Sequence, residues 1–161
     1  MDRETFNDLY MATARSVWAY FASVTGDPSL ANDLTQETYL RLMAADVDSL
    51  HHDHRRHYLF RIASNLVSDN YRAAKRTGPM PRTEPSIADQ SKLVDTQDLL
   101  RRAFSRVSLA DRKLLWLAYA EEISHREIAA LMGYRENSVR PLLYKARRRA
   151  LAVVRKLLGG A

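Results

Sequence analysis

ISHREIAALMGYRENSVRPLLYKARRR, residues Ile123 to Arg149, reads as two helices joined by a tight turn, with basic residues crowded on the second. Ser124 and Glu127 have the S-x-x-E spacing of a capping box, and Ile123 is placed to staple against Ile128 across that cap. Ile128, Ala129, Leu131 and Met132 supply an apolar stripe, and Gly133 follows where a left-handed residue ends a helix. In the second helix Val139, Leu142, Leu143 and Ala146 recur at the spacing of a half-buried face, which turns Asn137, Arg140, Tyr144 and Arg148 outward. The pattern is a helix-turn-helix.

Its outward face has the chemistry of a DNA reader. A helix fits the major groove, Arg and Lys neutralise phosphates or fork onto guanine, and Asn pairs with adenine. From Arg135 to Lys156 the basic residues are Arg135, Arg140, Lys145, Arg147, Arg148, Arg149, Arg155 and Lys156, against the single acid Glu136. On these residues alone a helical hairpin with a solvated charged face is the competing reading.

The whole chain narrows the choice. Its 161 residues suffice for one sizeable core or two small ones, and two small ones fit better. A formal charge of +6 favours a polyanionic partner. The lack of cysteine excludes disulfides and thiolate zinc sites. The start, MDRETFNDLY, has no signal-peptide pattern, and no apolar run is long enough to cross a bilayer, so a cytoplasmic protein without membrane insertion is expected. Five glycines, five prolines and little alternating Val/Ile/Thr patterning predict an all-α chain.

In order, Phe6, Leu9, Tyr10, Ala14, Val17, Trp18 and Phe21 predict an amphipathic helix from about Glu4 to Val24, ended by Gly26. Asp27-Pro28 is an N-cap followed by proline at the first helical position, opening a helix through Leu30, Leu34 and Leu40 to Met43 with Asp33, Gln36, Glu37 and Arg41 outward. A polar interval, DVDSLHHDHRRH, precedes a helix from roughly Arg55 to Lys75 with Leu59, Ile62, Ala63, Leu66 and Val67 inward and Arg61, Asn65, Ser68, Asp69 and Arg72 exposed. TGPMPRTEPSIADQSKLVD then loses all period and holds three prolines, the mark of a linker. Extended, it reaches roughly 60 Å at about 3.3 Å per residue, which matches about 18 base pairs of duplex. Leu99, Leu100, Ala103, Phe104 and Val107 form the next helix, and Ser108 with Asp111 caps another through Leu114, Leu115 and Leu117 beneath the helix-turn-helix.

DLTQETYLRL (Asp33 to Leu42), YLFRIASNLVSDNYRAAKR (Tyr58 to Arg76) and SHREIAALMGYRENSVRPLLYKAR resemble the region 2 and region 4 signatures of bacterial sigma-70 family factors, and are most similar to the small extracytoplasmic-function (ECF) group. The resemblance spans nearly the whole chain in the family's order. It implies two small helical domains, 1–76 (region 2) and 96–161 (region 4), joined by a flexible linker over 77–95.

The function so implied is that of an ECF sigma factor: it binds core RNA polymerase and directs promoter-specific initiation, recognising minus-35 duplex and melting minus-10 DNA. Asp33, Gln36, Glu37 and Arg41 would bind the clamp helices of the beta-prime subunit, with the beta flap as a second polymerase contact. Arg61, Asn65 and Arg72, with the loop carrying His51 and His52, would take the minus-10 element, a task that needs a base pocket and a basic track. Tyr71 is equally suited to the core. Arg140, Pro141, Tyr144 and Lys145 would read minus-35, with Arg135, Asn137 and Arg147 near phosphates or base edges. Glu84 and Asp89 would make acidic contacts in the linker, and an anti-sigma factor is an expected partner.

Two positions depart from the family pattern. Arg135 stands where Ser or Thr often caps the recognition helix, and Pro141 removes an amide within its first two turns, at up to about 3 kcal/mol, allowing a slight kink or an altered minus-35 preference. The His51, His52, His54, His57 cluster with Asp53 also admits a metal reading, although zinc and nickel ask for defined spacing that a loop does not give; base stacking or hydrogen bonding by histidine is preferred. No cofactor is expected. An enzyme is disfavoured, since no nucleophile-base set and no phosphate-cradling glycine loop appears. The alternative function is a sigma-like decoy that sequesters an anti-sigma factor without touching promoters, for which a dense basic face would be superfluous.

Overall fold

The computed structural model describes residues 1–76 and 96–159, with the side chain of residue 97 also outside the description. The expected linker, with Glu84 and Asp89, lies outside the described residues. The described residues are helical throughout and contain no strand. Helices α1 (Arg3–Thr25), α2 (Pro28–Ala44) and α3 (His52–Arg76) form a first group. The second group is α4 (Thr96–Ser105), α5 (Leu109–Leu115) running on into a π-helical turn (Trp116–Ala120), α6 (His125–Met132) and α7 (Glu136–Gly159).

The helix ends follow from local chemistry. Asp2 accepts the Thr5 amide at 2.7 Å and Asp27 the Leu30 amide at 3.2 Å, while Pro28 begins α2. Gly26 and Gly133 sit at φ 71° and 74°, the left-handed conformation that lets the amide of each turn back to a carbonyl of its helix. Ser108 and Ser124 each cap their helix, accepting the amides of Asp111 and Glu127 at 3.2 Å. The acids of these two S-x-x-D/E boxes do not close the reciprocal half of the motif. The carboxylate of Asp111 takes a fork from Arg149, at 2.7 and 3.1 Å, and that of Glu127 lies 3.3 Å from His57 Nδ1. Tertiary pairing thus draws on groups that local capping leaves available. Replacing Ser124 by alanine is expected to cost about 1 kcal/mol, since the first turn of α6 loses its side-chain acceptor; urea unfolding measures it.

In the first group Val17, Tyr20, Phe21 and Val24, at helical spacing on α1, are completely buried against Leu42, Leu59, Phe60 and Ala63. Tyr20 and Phe60 meet edge to face, with centroids 5.9 Å apart. Burial pushes the Tyr20 phenol's pKa well up, so it is neutral at any physiological pH. The buried stripe of α1 is rotated from the expected one. Its centre is Thr13, Val17 and Tyr20, while Tyr10 and Trp18 lie at the rim. Thr13 donates to the Leu9 carbonyl and shares a 2.7 Å hydrogen bond with the Tyr39 hydroxyl, and Trp18 Nε1 donates to Asn32 at 2.7 Å. Leu40, expected on the core side of α2, is instead exposed; Leu34, Tyr39 and Leu42 are the buried positions.

The second group buries Leu114, Leu117, Ile123, Ile128, Val139, Leu143 and Ala146. Its expected inward positions on the helix-turn-helix are thus the observed ones, with Leu142 half-buried. Between the π turn and α6, Glu122 adopts φ 54°. That left-handed residue reverses the chain so that the Ile123 amide reaches the Leu117 carbonyl at 3.0 Å. The buried side chains of the two groups form one connected cluster, where two separate small cores fitted the sequence better. The connection runs chiefly through α3 against α6 and α1 against α4 and α5.

Candidate nucleic-acid and partner interfaces

Helix α7 presents the strongest candidate face. Val139 and Ala146 are fully buried and Leu143 nearly so, which fixes the rotation of the helix. Arg135, Asn137, Arg140, Pro141, Tyr144, Lys145 and Arg147 are all exposed. The helix is continuous through Pro141. The amide that proline lacks would have bonded the carbonyl of Asn137, an exposed residue in the first turn where water can serve, so the structure carries the proline without a break. At the helix start the Ser138 amide is taken by the Arg135 carbonyl at 2.9 Å, a tight backbone turn in place of a side-chain cap. Gly133, Arg135, Asn137 and Pro141 border a shallow groove beside this face. The basic run is divided in use. Arg148 lies over the Tyr144 ring at 5.8 Å and Arg147 over Tyr119 at 6.0 Å, whereas Arg149 is committed to the buried carboxylate of Asp111.

Helix α3 carries a second candidate face. Arg61, Asn65 and Arg72 are exposed and follow one stripe with Ser68 between them. Arg72 holds Asp69 at 2.9 Å through one terminal nitrogen, in an exposed pair, and its Nε donates to the Ser68 carbonyl at 3.4 Å. Tyr71, left undecided by sequence, is 41% exposed, with Lys75 4.7 Å from its ring centroid. The helix begins at His52, earlier than expected, so His52, His54 and His57 are helical and only His51 remains in the preceding loop. Asp53 in the first turn favours that early start through the helix dipole. His51 and His52 are exposed at the head of α3, while His57 is half-buried and directed to Glu127. Among the described residues no His, Asp or Glu group is arranged to hold a metal ion.

The outer face of α2 is the third. Asp33, Gln36 and Arg41 are exposed and Glu37 is half-buried, with Arg41 and Glu37 paired at 2.9 Å one turn apart. Beside them stand Leu40 and Met43, each 60% exposed. Sequence reasoning missed this pair as surface. Apolar residues at the centre of a charged rim are the arrangement of a protein-binding patch.

The two helical groups meet through polar contacts with no periodic signal in the sequence. Arg56 donates to the Glu121 carboxylate at 2.7 Å and to its carbonyl at 3.1 Å, and the Glu121 side chain is only 6% exposed. Arg112 donates to the Val24 carbonyl. Lys113 Nζ donates to Ser68 Oγ at 2.6 Å. Burial lowers the Lys113 pKa from 10.5 to about 8, the Arg72 charge acts in the same direction, and Asp69 opposes them. Between about pH 8 and 10.5 the folded chain therefore holds fewer protons than the unfolded one, so this group's contribution to stability rises with pH across that window. The melting-temperature advantage of Lys113→Met over the parent chain is expected to shrink as pH rises from near 8 toward 10, because the amine's desolvation cost disappears. A gap unchanged with pH would show the amine to be solvated.

Family models described as sigma-70 region 2 and sigma-70 region 4 match residues 9–77 and 97–149. The chain belongs to the sigma-70 family. Similar proteins are ECF sigma factors. SigM of Bacillus subtilis is 25% identical, over 92% of this chain and 94% of its own length. SigL of Mycobacterium tuberculosis is 28% identical over 94% and 89%, and EcfG of Rhodopseudomonas palustris 27% over 94% and 86%. Among solved structures, the sigma factor RpoE of Bartonella quintana, in complex with the anti-sigma factor NepR, shares the fold with a TM-score of 0.75 at 20% identity, covering 94% of this chain and 98% of that one. The region 2 match takes in α3 and α2 with their exposed faces, and the region 4 match ends at Arg149, ten residues before the end of α7. No described helix of this sigma-70 family member is long and apolar enough to cross a membrane.

Proposed function

We propose that this chain is an ECF-type sigma factor that binds core RNA polymerase and directs promoter-specific initiation, with residues 1–76 engaging polymerase and the minus-10 element and residues 96–161 the minus-35 element. The observation that carries the reading is the geometry of α7: three buried positions, Val139, Leu143 and Ala146, lock a helix whose opposite face is Asn137, Arg140, Tyr144 and Lys145. Arg140 and Asn137 are the base-reading side chains, since Arg forks onto guanine and Asn onto adenine in the major groove. Lys145, Arg147 and Arg135 neutralise phosphate and fix register. Pro141 and Tyr144 add apolar contact.

On α3, Arg61 and Arg72 track the strand and Asn65 takes a base edge, with His51 and His52 at the head of the helix contributing stacking or hydrogen bonds. On α2, Asp33, Gln36, Glu37 and Arg41 form the polar rim of the polymerase contact, with the beta-prime clamp helices as its partner, and Leu40 and Met43 its apolar centre. The beta flap is the second polymerase contact, and an anti-sigma factor is the regulatory partner. The test is co-elution with core polymerase. The parent chain is expected to co-elute, and Leu40→Asp with Glu37→Lys to lose the complex while keeping the parent's circular dichroism. Co-elution that persists in this double variant would remove α2 from the interface, and a parent chain that never co-elutes would leave the decoy reading.

A further inference from the structure

Lys113, on α5, is only 8% exposed, and its Nζ donates to a hydroxyl, Ser68 Oγ at 2.6 Å, and to no carboxylate. Among the described residues it has no ion-pair partner. A buried ammonium held by one neutral acceptor keeps two of its three N–H donors and most of its desolvation cost. The residue borders a cleft of about 310 Å³ between α3, α5 and the turn after α6. Asn65, Ser68, Arg72 and Tyr134 line that cleft with it, and no Asp or Glu does. Asp69, the carboxylate whose charge reaches the amine, pairs with Arg72 outside the lining. Two positive groups thus converge on one cleft.

The lining also selects the ligand. The volume lies at the low end of the roughly 300–1,000 Å³ that encloses one small molecule, so neither a peptide nor a strand of several nucleotides fits. Leu109, Leu131 and Met132 give the cleft an apolar side for the carbon part of that molecule. Its charged end must satisfy an ammonium, a guanidinium and hydroxyls together, which the three terminal oxygens of a phosphate ester do better than the two of a carboxylate. We propose that this cleft binds a small organic phosphate: Lys113 Nζ and Arg72 neutralise the phosphate, the Ser68 and Tyr134 hydroxyls donate to its oxygens, and Leu131 and Met132 cover the carbon part. Lys113 serves from the floor as a point charge, while Arg72, its side chain 64% exposed, stands at the mouth and meets a ligand without any opening of the fold. Burial holds the amine pKa down to about 8, and a bound anion offsets that desolvation. The minus-10 reading of α3 is not needed for this, since the ligand is a free phosphate ester and not a promoter.

The test is calorimetric titration of the full chain with ribose 5-phosphate and with adenosine 5′-monophosphate, adenosine serving as the control without phosphate. Saturable binding of one molecule per chain is expected for at least one of the two esters and none for adenosine. Lys113→Met is expected to weaken that binding at least tenfold, Arg72→Ala to weaken it as well, and Lys156→Ala, at the far end of α7, to leave it unchanged. No saturable binding of either ester would overturn the site. Binding that survives Lys113→Met, or that falls equally with Lys156→Ala, would show only general attraction to a basic surface and would also overturn it. A short DNA single strand that loses affinity on Lys113→Met as steeply as the ester does would assign the cleft to a nucleic-acid backbone and overturn the small-ligand reading. Should Lys113→Met unfold the chain by circular dichroism, Arg72→Ala, at an exposed position, carries the same readouts.

Discussion

Phe60→Ala is expected to lower unfolding free energy by about 3–5 kcal/mol. Phe60 is completely buried, meets Tyr20 edge to face at 5.9 Å, and lies beneath the Arg56 guanidinium, 5.5 Å from its ring centroid. Its removal deletes a ring's worth of apolar burial and leaves a cavity between α1 and α3 that rigid neighbours cannot fill. For a chain of this size that corresponds to a fall in melting temperature of roughly 10 °C. Phe60→Leu, which keeps most of the volume, should cost less than about 1.5 kcal/mol. Because the buried cluster is continuous between the helical groups, the Phe60→Ala transition should be read at Trp116 as well as at Trp18. A fall in the first group with no change near Trp116 would show that the groups melt independently.

Arg140→Ala is expected to weaken minus-35-dependent transcription up to about 100-fold, the equivalent of about 1–3 kcal/mol per bidentate base contact. Arg140 is exposed at the centre of the α7 face, follows the buried Val139, and has no ion-pair partner among the described residues. Its guanidinium is therefore available at no cost to an existing contact. Lys145→Ala should instead weaken binding across all sequences and reduce the salt dependence by about one phosphate. Arg149→Ala should behave as neither, since its side chain forks onto the buried Asp111; its loss is a loss of stability. Equal effects of Arg140→Ala on promoters with and without a minus-35 element would contradict the assignment.

The contrast between these arginines marks what sequence can and cannot convey. Arg140 is legible because Val139, Leu143 and Ala146 state their period locally, and the outward face follows from it. The caps are legible for the same reason: Asp27-Pro28, Ser108, Ser124 and Gly133 act within one turn. Arg149 is not, because its partner is 38 residues away, and Glu121 is not, because Arg56 is 65 residues away. Tyr10 and Trp18 mislead a reading by apolar period. Each has a polar end, and the indole N–H of Trp18 reaches Asn32 at the helix rim instead of entering the core. Leu40 misleads in the opposite sense, since an apolar residue on the outer face of a helix looks like a core residue in sequence. The early start of α3 was hidden by four histidines that resemble a loop in composition but hold no helix breaker.

As the ECF-type sigma factor proposed above, this chain is expected to give core RNA polymerase a promoter choice. Run-off transcription with core polymerase on a library of genomic promoter fragments, with and without the protein, tests it most directly. New start sites that share two spaced elements are expected, with dependence on the upstream element lost with Arg140→Ala and on the downstream one with Asn65→Ala. Transcripts that do not depend on the protein, together with tight binding to another sigma factor's inhibitor, would contradict it and make the chain a decoy.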